Sequence, residues 1–374
     1  MLLPQALPAK IGLDPQRLQI AYNLLRSWTE GPDAPIPGAA LIVGRQGKTV
    51  EPQFFGRMGP ESDAATMRRD AAFLLASISK PLTYLAGMIL VERGQLGLSE
   101  PVVRYIREFA AHHKDEITVQ QLFTHTSGLP DMVENNLALR KEHAGLDKFV
   151  HSVVYDTVPL FRAGTDFKYQ SMGTLMVAEL VQRISGVPFR EFVRREIFEP
   201  LGLSATSFGS QGLAAERLAR NQTSSAHSTD YDWNSAYWRE LGSPWGGMFS
   251  TPEEYAVICQ WMLNGGKYDK HQLLAPATIQ LMTTNRLDDH PDVPEPIRRA
   301  KPWGLGWQMN HPGNSTGLCE LLGQHVYGHW GATGTLVWID PQTEGFCVFM
   351  SSYERDRAPW RMMHISNAVA AAFV

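Results

Sequence analysis

Strand patterns fall at the two ends of this chain and helical patterns in its middle, an arrangement that limits the fold more than any single motif. Residues 39–43 and 49–55 read as a β-hairpin turning at Gln46-Gly47. Residues 73–75 read as a further short strand feeding a helix that ends near Gly94. Strands return only in the last quarter, at 304–309, 325–329, 333–339 and 345–351, with residues 342–344 turning the final hairpin. Helical spacing marks residues 14–29, 119–124, 146–154, 173–184, 189–198, 252–263 and 276–283, and an amphipathic helix closes the chain over 359–373. The segment 285–301, with three prolines and mixed charges, reads as an exposed loop. Strands separated so widely bury their apolar faces by sharing one sheet. The expected class is therefore α/β of the α+β type, an antiparallel sheet flanked by helices plus a mostly helical part. Residues 1–100 and 250–374 form the sheet domain in this reading, and 101–249 the helical one, with a cleft between them.

Composition removes several functions. A net charge of −4 with scattered Lys and Arg gives no surface to track phosphates, so no nucleic-acid partner is expected. Cys259, Cys319 and Cys347 are far apart and lack Cys/His partners at metal-ligand spacing, which predicts buried free thiols, no metal and no disulfide framework. The first ten residues lack a basic start followed by an apolar run, and no apolar stretch reaches the roughly 18 residues of a membrane span, so a cytoplasmic location is expected. The Asn-x-Ser/Thr matches at Asn221 and Asn314 matter only in a secreted protein.

Three segments carry chemistry. Ser77-Ile78-Ser79-Lys80 follows the short strand and opens a helix, so the lysine lies one turn from the serine on the same face. A serine hydroxyl is a poor nucleophile until a nearby base takes its proton, and a helix N-terminus offers N–H groups to a developing oxyanion. Tyr169, in Phe167-Lys168-Tyr169-Gln170-Ser171, enters another helix, where its phenol can accept a proton if a neighbouring ammonium lowers its pKa from about 10. His329-Trp330-Gly331-Ala332 sits on an edge strand whose glycines let backbone approach a ligand.

In this order the three resemble the motifs of the serine β-lactamase and penicillin-binding-protein family, in the branch with class C β-lactamases and family VIII carboxylesterases. Leu122 to Pro130 looks like that family's L-L-x-H-x-S-G-L turn, Gly246 to Thr251 like its G-G-x-x-S-T helix entry, and Trp303 to Trp307 like the strand before the last motif. The resemblance implies a β-lactamase/transpeptidase-like fold and no cofactor. It implies Ser77 as acylated nucleophile, Lys80 as partner in proton transfer, and Tyr169 as general base, held partly as phenolate by the Lys80 ammonium. The N–H groups of Ser77 and Ala332 are the implied oxyanion hole, with Ser171, His329, Trp330 and Gly331 against the substrate.

Two positions depart from the family pattern. Ser171 stands where the family has asparagine, so a substrate amide loses a hydrogen-bond donor. His329-Trp330 replaces Lys-Thr, so a substrate carboxylate loses a cation. Both favour a carboxylesterase acting on small esters. A D-amino-acid peptidase, a weak class C-like β-lactamase, or a catalytically idle binding protein of the same fold are the alternatives, and oligomeric state is unassigned. Gly47-Lys48-Thr49 lacks the upstream glycine of a phosphate loop, and no G-x-S-x-G marks an α/β-hydrolase. His125 reads as a turn brace, and His112, His113, His290 and His311 as solvated loop residues.

Overall fold

The computed structural model describes residues 1–31, 33–223, 229–311, 313 and 317–374; Asn314 lies outside them. The two chain ends do share a sheet. Gly38–Arg45 pairs antiparallel with Gly345–Ser351 from Ala39 opposite Ser351 to Arg45 opposite Gly345. The sheet continues through Thr335–Asp340 and Tyr327–Gly331 to the short edge strand Gln308–Met309. On the other flank Gly38–Arg45 takes Lys48–Thr49 and Gln53–Gly56, the expected second strand broken where Pro52 cannot donate to the ladder. Gln46 and Gly47, both at positive φ, make the predicted turn.

The period-two pattern assigns one core to each face of the sheet. Ala39, Leu41, Val43, Trp338 and Phe349 face the helices Pro15–Thr29 and Trp360–Ala370. Ala40, Ile42, Val337, Val348 and Met350 join the larger core, which continues through the helices Ser79–Glu92, Met172–Ser185 and Pro252–Leu263. The three cysteines are buried free thiols. Among the described residues no helix is long and apolar enough to cross a membrane, and no His/Cys/Asp/Glu group could hold a metal ion.

Several local expectations change. Only Gln308–Met309 of the strand expected at 304–309 pairs, because Gly304 N–H bonds Trp307 O in a tight turn. The segment 285–301 contains the helix Glu295–Ala300 and runs into buried Pro302 and Trp303, so its end is structured rather than loose. His290 is not simply solvated, since its Nε2 lies 3.3 Å and 3.4 Å from the Thr124 and Thr126 hydroxyls.

Candidate active site

Ser77 is presented by a strained corner. Phe73–Leu74 pairs with Met248–Ser250, and Leu75 N–H bonds Met248 O. Ala76 then adopts φ 47°, a left-handed value that costs an alanine about 1–2 kcal/mol. The corner tolerates this because its neighbours fix it: Thr333 Oγ1 donates to Leu74 O at 2.7 Å and Thr335 Oγ1 to Leu75 O at 3.0 Å. The chain turns into a 3₁₀ turn, Ala76–Ile78, and then the helix Ser79–Glu92. Ser77 thus lies in the first turn of a helical run, where its N–H has no intrahelical acceptor by position.

The edge strand Tyr327–Gly331 packs against this corner. A Cβ on Gly331 would fall 2.3 Å from Leu75 O and 3.2 Å from Ala76 Cβ, so only glycine lets the two backbones meet. Beyond Gly328 the outer edge of this strand has no pairing partner among the described residues. Ala332 follows directly, its carbonyl accepting from Arg355 N–H at 2.9 Å. The strand end just before Ala332 thus lies against the Leu75-Ala76 corner that leads into Ser77.

Lys80 Nζ lies 3.0 Å from Ser77 Oγ and donates to Trp245 O at 2.9 Å. It is 1% exposed, and burial pushes its amine down to about 7, against an opposing pull from the Asp131 carboxylate. Near neutral pH a large fraction is free base. A neutral amine giving one hydrogen to Trp245 O keeps a lone pair for the Ser77 proton across the same 3.0 Å. Lys80 Nζ also sits 4.7 Å from the centre of the Tyr169 ring. The Tyr169 hydroxyl is buried without a hydrogen bond of ordinary geometry. Burial holds its pKa well above 10, the nearby Ser77 hydroxyl opposes this, and the Asp131 charge adds to the rise. Burial thus works against the expected pairing of a Lys80 ammonium with a Tyr169 phenolate: it lowers the amine toward the free base and favours the protonated phenol. The physical reason is desolvation, which penalises both charged forms.

Ser171 is 2% exposed and its Oγ donates to Asp131 Oδ1 at 2.6 Å, so its only donor is committed within the protein. His329 is 1% exposed, and burial together with Lys80 pushes its pKa down to about 3. Its Nδ1 stands 2.7 Å from Trp330 O, which places the ring proton there and leaves Nε2 as a buried acceptor with no partner. His125 has the opposite tautomer. Its Nδ1 accepts from Gln170 N–H at 3.3 Å, leaving Nε2–H as a buried donor with no partner. It braces a turn as expected, at φ 60° and with its carbonyl accepting from Lys168 N–H. Its ring is also 4.7 Å from those of both Tyr169 and Trp303.

A cavity of about 210 Å³ opens beside Tyr169 and His329, walled by Phe167, Trp303 and Trp330. A larger hollow of about 410 Å³, near Leu146, Tyr155 and Phe189, is lined by none of these reacting groups. Motif reasoning missed Asp131, whose only signal is an acidic residue just after the Gly128-Leu129-Pro130 turn. It also missed Trp245, which contributes a backbone oxygen and so leaves no trace in residue type.

The family model described as Beta-lactamase matches residues 25–372. A protein of Escherichia coli O157:H7, provisionally named a D-alanyl-D-alanine carboxypeptidase, is 27% identical over 94% of this chain and 85% of its own. A penicillin-binding protein homolog from Caulobacter crescentus superposes with a TM-score of 0.78 at 22% identity, covering 96% of this chain and 99% of the other. A family VIII carboxylesterase does so with a TM-score of 0.74 at 19% identity, covering 96% and 99%. The chain belongs to the Beta-lactamase family and is a serine hydrolase of the β-lactamase and penicillin-binding-protein kind, with that family's β-lactamase/transpeptidase-like fold.

Proposed function

We propose that this member of the Beta-lactamase family is a carboxylesterase for small esters, acting through an acyl-enzyme on Ser77 in the cleft between its sheet and helical parts. The observation that carries the mechanism is the 3.0 Å contact between Ser77 Oγ and a lysine amine pushed down to about 7. Free-base Lys80 takes the Ser77 proton as Oγ attacks the ester carbonyl carbon. The carbonyl oxygen becomes an oxyanion against the N–H groups of Ser77 and Ala332. Tyr169, still protonated, donates to the leaving alkoxide as the C–O bond breaks and recovers its proton from Lys80. One group loses charge by burial and becomes the base; the other keeps its proton and becomes the acid. Water then attacks the acyl carbonyl by the same route in reverse, releasing the acid.

Preference for esters over amides rests on Ser171. Its hydroxyl is bound to Asp131, so nothing at that position greets a substrate amide. The neutral His329 adds no charge for a carboxylate at the reaction centre. Similarity to a family VIII carboxylesterase points the same way. The Escherichia coli relative's name favours the second reading, a D-amino-acid peptidase using the same residues. Rates on p-nitrophenyl butyrate, nitrocefin and a D-Ala-D-Ala peptide separate them: the ester is expected to be fastest, and faster turnover of either other substrate overturns the preference. Labelling by a fluorophosphonate, lost in Ser77→Ala, is the expected sign of an active nucleophile. A folded protein that takes no label is an idle binding protein instead.

A further inference from the structure

We propose that the cavity beside Tyr169 and His329 is an anion-selective subsite, seating a flat apolar part of the substrate against Trp303 and Phe167 and holding an anionic end through Lys301 and Lys168. This rests on the hydrolase reading and narrows its substrates to esters that carry an anionic group.

The walls set the shape. Phe167 and Trp303 stand 5.7 Å apart between ring centres, Trp330 closes another side, and Pro302 adds apolar surface. An apolar cavity of about 150 Å³ holds a benzene ring, so the roughly 210 Å³ here leaves room for a ring and a short chain. The charge sits at the rim. Lys301 and Lys168 both line the cavity and both are exposed, and the Lys301 ammonium lies 5.9 Å from the Phe167 ring centre. Among the described residues neither ammonium meets a carboxylate. No acidic residue among those described lines the cavity: Asp292 pairs with Arg162, and Asp131 is bound by Ser171. Two cations without partners above aromatic walls attract an anion whose apolar body fills the space below. The motif position that would carry charge holds His329 instead, kept neutral by burial, so any charge recognition has moved outward.

The test separates binding from turnover. In Ser77→Ala protein, calorimetry is expected to show 4-phenylbutyrate binding about tenfold more tightly than its neutral isostere 4-phenylbutanamide at low salt. The margin should shrink as ionic strength rises, and collapse in Lys168→Ala/Lys301→Ala. Both lysines are exposed, so the double variant folds, and circular dichroism checks this. Amide binding equal to or tighter than carboxylate, no carboxylate binding, or a margin that survives the double variant overturns the proposal. Wild-type turnover of p-nitrophenyl hexanoate and of the mono-p-nitrophenyl ester of adipic acid supplies the second arm. Hydrolysis of both at equal efficiency removes the subsite and keeps the esterase. Carboxylate-selective binding without hydrolysis of either ester keeps the subsite and removes the esterase.

Discussion

Among the described residues two lysines are hidden from solvent, and only one faces a serine hydroxyl. Lys80 is enclosed by the sheet corner and the helical core, and its amine is pushed down to about 7. Lys114 also has no exposed surface, but it lies under a thinner layer of chain, and burial lowers it only to about 8. Its Nζ donates to Thr157 O at 2.7 Å and lies 5.6 Å from the Phe109 ring centre. Desolvation alone therefore makes a weakly basic lysine, and such a lysine can be purely structural. What distinguishes Lys80 is the serine at 3.0 Å and the carbonyl of Trp245 that takes its spare hydrogen.

The comparison breaks if the two lysines respond alike to substitution. Lys80→Ala is expected to lower kcat/KM for a small ester by about 10²-fold or more, while Lys114→Met leaves it within about twofold. Stability should answer in the other direction. Lys114→Met strands the Thr157 carbonyl, at a cost of about 1–3 kcal/mol in denaturant titrations. Tyr169→Phe removes the proton donor and should also cost about 10²-fold in kcat with an ester whose leaving group is a poor one. A smaller loss with p-nitrophenolate, which needs little protonation, would sharpen its assignment as acid.

The pH profile gives a finer contrast. Since the base form of Lys80 is the reactive one, kcat/KM should be low in acid and rise through about pH 7 as the ammonium loses its proton. A profile flat from pH 5 to 9 would sink that role. Asp131→Asn takes away the charge that favours the ammonium, so the acid limb should move to lower pH. The smallest effect expected is that of Lys114→Met on this limb, which should not move.

The sheet was legible because period-two patterns at both chain ends leave few other arrangements. The strand Gly345–Ser351 and the helix Pro252–Leu263 fall where the residue pattern put them. That Ser77, Lys80, Tyr169 and the edge strand belong to one place was legible from the motifs. Their charge states were not, because those depend on how much protein surrounds Lys80 and Tyr169. The commitment of Ser171 to Asp131 joins residues 40 positions apart, beyond any local pattern. Lys301 was hidden for another reason: a proline-rich charged segment looks like free loop, yet here its end lines a cavity.

The pairing of Gly38–Arg45 with Gly345–Ser351 has a consequence for how the protein is made. The first strand leaves the ribosome long before its partner exists, and so does Ser77. Until the last quarter of the chain arrives, the corner at Ala76 has no Gly331 packed against it and lacks the ties from Thr333 and Thr335. Such non-local closure is slow and leaves apolar strands waiting. Nascent chains should therefore remain inert toward a fluorophosphonate until synthesis is nearly complete.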